Sequence, residues 1–290
     1  MSRINPTVLR WTVAALAAVG LGGVGPLLPS ADAAGALPAC RYADTRTHYP
    51  RVNDWYRSLV DTDLRLPSSY APHDLVPVTR SGAPGSGSIR AIALADLTAM
   101  FRAARAAGAP FAVESAYRSY HYQVGTFAGW VRRAGMAAAR LASARPGHSE
   151  HQLGTSLDLT SPLHVNGMHV SGVGKGPWLY RDWGRTAAGA WLAKNAWRYG
   201  FVNSYPKVGS PSRTCYKYEP WHYRYVGRPV AAAIHASRLT PREWLWRAGA
   251  TGTWTGWTPG SPDPAPPIEG EAVAEPPAGQ DVGAAPPTDT

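Results

Sequence analysis

Hydrophobic positions recur along the chain with two different periods, and the changes of period mark out its elements. Between Ile89 and Ala107, residues Ile92, Leu94, Leu97, Met100, Phe101 and Ala104 fall at roughly three- and four-residue steps, the spacing that lines one face of a helix. Gly108 and Pro110 end that helix. Phe111–Ser115 and Ser156–Leu159 read as strands, and the Ala-rich stretch 120–144 reads as a helix. Ala187–Tyr199 is another helix, stopped at Gly200. Val52–Leu59 suits a short helix and Tyr218–Tyr225 a strand, after which two short helices carry the chain to Arg247. Ser81–Ser88 is a flexible loop, and residues 162–178, six of them Gly or Pro, form a longer one able to bound a substrate. Mixed helices and short, separated strands predict an α+β domain rather than a wound parallel sheet.

The ends of the chain differ from its middle. Arg3 and Arg10 precede an uncharged apolar run from Trp11 to about Leu28, followed by Ala31-Asp32-Ala33. This is the layout of a secretory signal cleaved after Ala33. The alternative is a retained membrane anchor, which Gly20, Gly22, Gly23, Gly25 and Pro26 weaken as a helix. Residues 34–51 are a polar lead-in, 52–247 the folded domain, and 248–290 a Pro-rich acidic tail expected to be disordered. Trp244 to Trp257 could stack on glycan, although packing of the last helix explains them more simply. Outside the cytosol two thiols tend to oxidise, so Cys40 could tether the mature N-terminus to Cys215; two unpaired thiols are the alternative.

Charge and cysteine count narrow the function classes. Two cysteines among 290 residues exclude a four-cysteine zinc site within the chain. Residues 34–247 carry 27 basic and 12 acidic side chains, a net charge of +15. Such a body favours an anionic partner, whether nucleic acid, anionic lipid or an acidic polymer such as a bacterial cell wall, and charge alone does not choose among them. No DNA- or RNA-binding motif accompanies the charge.

Candidate chemistry lies in two histidine-bearing runs, Ser149-Glu150-His151-Gln152-Leu153-Gly154-Thr155-Ser156-Leu157-Asp158 and Glu219-Pro220-Trp221-His222. Two imidazoles and one carboxylate, from His151, Asp158 and His222, make a three-ligand site with a fourth tetrahedral position for water, and this donor set favours zinc. Zinc acidifies water to a pKa of about 7, and Glu219 could take that proton as general base. On an unbroken strand Glu219 and His222 would face opposite ways, so this reading requires a bend at Pro220. Arg118 follows a predicted strand and could stabilise developing negative charge. Ser204-Tyr205-Pro206-Lys207 has a serine-peptidase spacing, but Pro206 would break the helix that this chemistry needs. Gly147–His151 lacks the closing Gly of a nucleophile elbow, and His148 reads as a surface histidine.

Four spaced motifs together resemble the zinc D,D-carboxypeptidases of bacterial wall metabolism, the VanY-like branch of the D-alanyl-D-alanine metallopeptidases. They are Ser115-Ala116-Tyr117-Arg118-Ser119-Tyr120 with Gln123; Pro146-Gly147-His148-Ser149-Glu150-His151-Gln152-Leu153-Gly154 with Asp158; Trp191-Leu192 with Tyr199-Gly200-Phe201; and Glu219-Pro220-Trp221-His222 through Gly227, closing with Leu239–Glu243. The resemblance implies a D,D-metallopeptidase (Hedgehog-like) fold, with a small antiparallel sheet and flanking helices. It implies one zinc ion on His151, Asp158 and His222, Glu219 as base and Arg118 as stabiliser. Ser149, Gln123 and Trp221 match positions that line or support the family's substrate cleft. The substrate it implies is a peptidoglycan stem peptide ending in D-Ala-D-Ala. An L,D-carboxypeptidase, a D,D-dipeptidase, an L-Ala-D-Glu endopeptidase or a non-catalytic wall-binding module would share these motifs. Ala116 stands where the family often has Gly.

Overall fold

The computed structural model describes residues 36–161, 164–165, 168–169 and 180–251; the predicted signal segment and all but the first four residues of the predicted tail lie outside them. The first half of the chain supplies strands β1 (Thr45–Arg46), β2 (Leu64–Arg65), β3 (Leu75–Pro77) and β4 (Ser88–Arg90), then helix α1 (Ala91–Ala106). Strand β5 (Ala112–Ser115), helix α2 (Tyr120–Ala142), strand β6 (Ser156–Thr160) and the hairpin β7 (His164–Val165) and β8 (Met168–His169) follow. Helix α3 (Ala187–Asn195), strands β9 (Phe201–Asn203) and β10 (His222–Tyr225), and helices α4 (Arg228–Ser237) and α5 (Pro241–Thr251) complete them.

The centre is a four-stranded sheet in the order β5-β6-β10-β9, antiparallel throughout. Side chains alternate across a strand, so Leu157, Leu159, Tyr223 and Tyr225 enter one core while Ser156, Asp158, His222 and Arg224 share the other face. Register then places His222 directly opposite Asp158 and Arg224 opposite Ser156. On the other side of β6, Ser115 pairs with Asp158 across a bulge.

Helix α1 buries Ala93, Leu97, Met100, Phe101 and Ala104. Ile92 is 41% exposed, because Ala93 rather than Ile92 falls in line with Leu97 and Met100. The helix starts at Ala91, since Ser88–Arg90 are extended against β3. Phe101 meets Phe111 edge-on at 5.3 Å, joining the helix to the sheet. Helix α2 is interrupted at Gly135, where φ is 77°. The segment expected to be a helix at Val52–Leu59 forms only a single 3-10 turn, Val52–Asp54. Its later carbonyls are engaged elsewhere: Trp55 O and Ser58 O accept bonds from Arg224. Likewise Ala196–Tyr199 is 3-10 rather than α-helical, ending at Gly200.

The lead-in is fastened to the domain. β1 pairs with β2, Thr47 Oγ1 donates to Leu59 O, Arg242 donates to Pro38 O, and Cys40 is disulfide-bonded to Cys215. Helix α5 opens with a capping box: Glu243 N donates to Thr240 Oγ1, and Glu243 Oε2 accepts from Thr240 N. Trp244 is buried in the main core and Trp246 packs against it, whereas Trp254 and Trp257 lie outside the described residues. No helix among the described residues is long and apolar enough to cross a membrane.

Candidate active site

Three side chains separated in sequence meet on the polar face of the sheet. Asp158 is carried by β6 and His222 by the first position of β10, so the strand pairing alone brings them together. His151 arrives on a 3-10 turn, Glu150–Leu153, closed by Gly154 in the left-handed region at φ 75°. A β-carbon at residue 154 would lie 3.0–3.1 Å from Arg90 Cγ, Leu75 Cδ2 and Pro72 Cγ, so both backbone angle and space call for glycine. One ligand atom from each of His151, Asp158 and His222 lies within 4.8 Å of the other two.

The hydrogen bonds fix which atoms face inward. His151 Nδ1 bonds to Ala116 O at 2.6 Å, leaving Nε2 directed inward, 3.1 Å from Asp158 Oδ2. That nitrogen is buried and has Asp158 as its neighbour, so it and the carboxylate face one another where a shared cation would fit. His222 Nδ1 lies 3.1 Å from Asp158 Oδ1, and its Nε2 lies 2.9 Å from Glu150 Oε2. Two imidazole nitrogens and a carboxylate oxygen are a zinc-type donor set, and the residues present fit that ion.

The turn that the sequence demands at Pro220 exists. His222 N donates to Glu219 O at 3.2 Å, and the strand begins only at His222 rather than Tyr218. Burial pushes the Glu219 carboxyl up to about 7, with His222 and Arg118 pulling against it and Asp158 adding to it, so Glu219 feels the charges of the site. Arg118 is braced from three sides: Nη1 donates to Ser115 Oγ at 2.8 Å and to Asp158 Oδ2 at 3.3 Å, and Nε donates to Gln123 Oε1 at 3.1 Å. Gln123 is 1% exposed, and its amide nitrogen donates to Ala144 O at 2.7 Å. It therefore holds Arg118 from behind. Ser149 is buried at the entry of the His151 turn, and Trp221 is half-buried against the main core. His148, expected on the surface, is buried between Asp61 O and Asp44.

Two charged groups were not assigned a role from sequence. Glu150 is 4% exposed and Arg224 fully buried; Arg224 Nη1 donates to Glu150 Oε1 at 2.8 Å. Burial alone would raise the Glu150 carboxyl, but Arg224 and His222 bring it down to about 2. Arg224 stands two positions after His222 on the same strand face, so a buried cation beside that histidine is the available signal for a carboxylate partner.

A sequence profile of the family VanY, D-alanyl-D-alanine carboxypeptidase, matches residues 86–228. A solved D,D-pentapeptidase VanY from a VanB-type resistance cassette, in complex with Zn(II), is 31% identical and is matched over 99% of its length (66% of this chain) with a TM-score of 0.51. This chain belongs to the VanY family. The LdcB LD-carboxypeptidase structure is 32% identical, with a TM-score of 0.57 over 71% of this chain and 98% of that one. YodJ of Bacillus subtilis (strain 168), assigned as a carboxypeptidase, is 37% identical over 192 residues, 65% of this chain and 66% of YodJ. The chain spans 66%, 51%, 27% and 53% of the lengths of four curated relatives it matches.

Proposed function

We propose that this VanY-family protein is an exported, zinc-dependent carboxypeptidase that removes the terminal D-Ala from peptidoglycan stem peptides ending in D-Ala-D-Ala. The observation that carries this reading is the convergence of His151, Asp158 and His222, with Arg118 bonded to Asp158 and Glu219 one turn before His222. His151, Asp158 and His222 would hold the ion, which when bound supplies Lewis acidity and lowers the pKa of water. Glu219 takes a proton from the attacking water and returns it to the leaving amine, a task suited to a carboxyl raised toward neutrality. Arg118, fixed by Ser115 and Gln123, offers a positioned cation to oxygen as negative charge develops there. The Cys40–Cys215 disulfide supports export, since such bonds persist in oxidising compartments. The +15 body suits residence on an anionic wall, and no nucleic-acid partner is proposed.

The likeness to LdcB favours a second reading, an L,D-carboxypeptidase acting on tetrapeptides. Mass spectrometry of digested muropeptides separates the two. Loss of one residue from pentapeptides supports the first reading, loss from tetrapeptides supports the second, and an internal cut or no product would overturn both. Chelation should abolish the activity and added zinc restore it.

A further inference from the structure

We infer that Glu150, held by Arg224, is a positioning residue that sets which nitrogen of His222 is free to bind a metal. The inference rests on the zinc reading above. His222 has one nitrogen toward the ligand cluster, Nδ1 at 3.1 Å from Asp158 Oδ1, and one away from it, Nε2 at 2.9 Å from Glu150 Oε2. A carboxylate only accepts, so Nε2 carries the hydrogen and donates to Glu150. Nδ1 faces a second carboxylate, Asp158, and by the same argument donates to it in the metal-free ring; a cation beside Asp158 and His151 would replace that hydrogen, while Glu150 keeps the other one on Nε2.

Glu150 itself cannot turn. Its second oxygen, Oε1, accepts from Arg224 Nη1 at 2.8 Å, and Arg224 Nη2 donates at 2.7 Å to both Trp55 O and Ser58 O. The chain of contacts runs from the backbone of the 55–58 segment through a buried guanidinium and a buried carboxylate to one ligand ring. The other ring, His151, is oriented by a neutral carbonyl, Ala116 O. Carboxylate support makes an imidazole the more basic ligand, so the two histidines are tuned unequally.

The geometry makes Glu150→Gln a sharp probe. An amide has one acceptor and one donor end, whereas His222 Nε2–H and Arg224 Nη1–H both need acceptors. If the amide oxygen faces Arg224, its NH₂ meets His222 Nε2 and favours the tautomer with hydrogen on Nδ1, pointing into the metal site. If it faces His222, the NH₂ opposes Arg224.

The test uses the full chain in two measurements. Nitrogen-15 NMR of the imidazoles, without metal and with zinc, reads which His222 nitrogens carry hydrogen, with His222→Gln giving the assignment. Competition against a chromophoric chelator reads zinc affinity. Glu150→Gln should move His222 away from the Nε2–H form and weaken zinc about 10- to 100-fold, with far-UV circular dichroism unchanged. Should that variant not fold, Glu150→Leu with Arg224→Met removes both buried charges together and should weaken zinc to the same extent. A folded variant with native tautomer and native zinc affinity would reduce Glu150 to a mere partner of Arg224 and overturn the inference. If the native protein bound no zinc, the zinc reading would fall, while the tautomer measurement would still decide whether Glu150 orients His222.

Discussion

Replacing Gly154 with Ala tests the turn that links His151 to Asp158. Gly154 sits at φ 75°, ψ 11°; its N–H donates to His151 O at 3.2 Å and its carbonyl accepts from Arg90 N at 2.8 Å. An alanine there bears the left-handed backbone cost of about 1–2 kcal/mol. Its β-carbon would also press on Arg90 Cγ, Leu75 Cδ2 and Pro72 Cγ at 3.0–3.1 Å. Arg90 is anchored by Asp74 and Val52 O, so relief must come by shifting its neighbours, and overpacking of this kind adds about 1–2 kcal/mol, toward the low end of the usual range. Gly108 is the control: its φ is 70°, but a β-carbon there meets nothing within 4 Å. Gly108→Ala should therefore cost about 1–2 kcal/mol and Gly154→Ala about 2–4 kcal/mol. In a domain of this size these become falls in melting temperature of about 2–8 °C and about 4–16 °C. Thermal unfolding followed by circular dichroism, with urea midpoints as a check, gives both values. Equal losses for the two variants would refute the crowding term, and no loss at Gly154 would refute the backbone term as well.

Other expectations follow from the same geometry. Glu219→Gln should keep zinc affinity within a few-fold while slowing turnover about 10²- to 10⁴-fold; near-native kcat in steady-state assays would remove Glu219 from its role. Arg118→Ala should lower kcat about 10²-fold, near 3 kcal/mol of barrier, and Gln123→Ala should lower it less, because Ser115 still holds the guanidinium; if only KM changed, Arg118 would be a binding group. Cys40→Ser with Cys215→Ser opens a link between positions 175 residues apart and should cost about 2–4 kcal/mol in urea unfolding, a loss under 0.5 kcal/mol being incompatible with that link constraining the unfolded chain. Glu243 accepts from Arg213 and Thr240, and although burial opposes it, those partners lower its carboxyl below the ordinary 4.5. A lowered folded value means stability present above pH 4.5 and lost as pH falls through the folded value. Glu243→Gln should therefore be about 1 kcal/mol less stable at neutral pH, with the gap closing in acid; a pH-independent gap would contradict the charge-based account.

Local pattern determined a good part of this protein. The step of apolar residues gave α1, the stop at Gly108 and the strands around Val113 and Leu157, because helix and strand periods are properties of neighbouring residues. The histidine, aspartate and glutamate that could do chemistry were legible from residue type and from motifs whose order resembles one family. Ile92 is exposed although it fits the apolar step, because adjacent apolar residues leave the helix face open by one position. Beyond the 3-10 turn at Val52–Asp54 the carbonyls of Trp55 and Ser58 bond to Arg224, some 170 residues away, which no local pattern contains. Only the fold decided that Asp158 stands opposite His222, since strand register is a non-local choice. Likewise only the fold turned Glu150 from one more charge in a polar run into the buried partner of both His222 and Arg224. Burial makes a lone charge so costly that those groups must find one another in space.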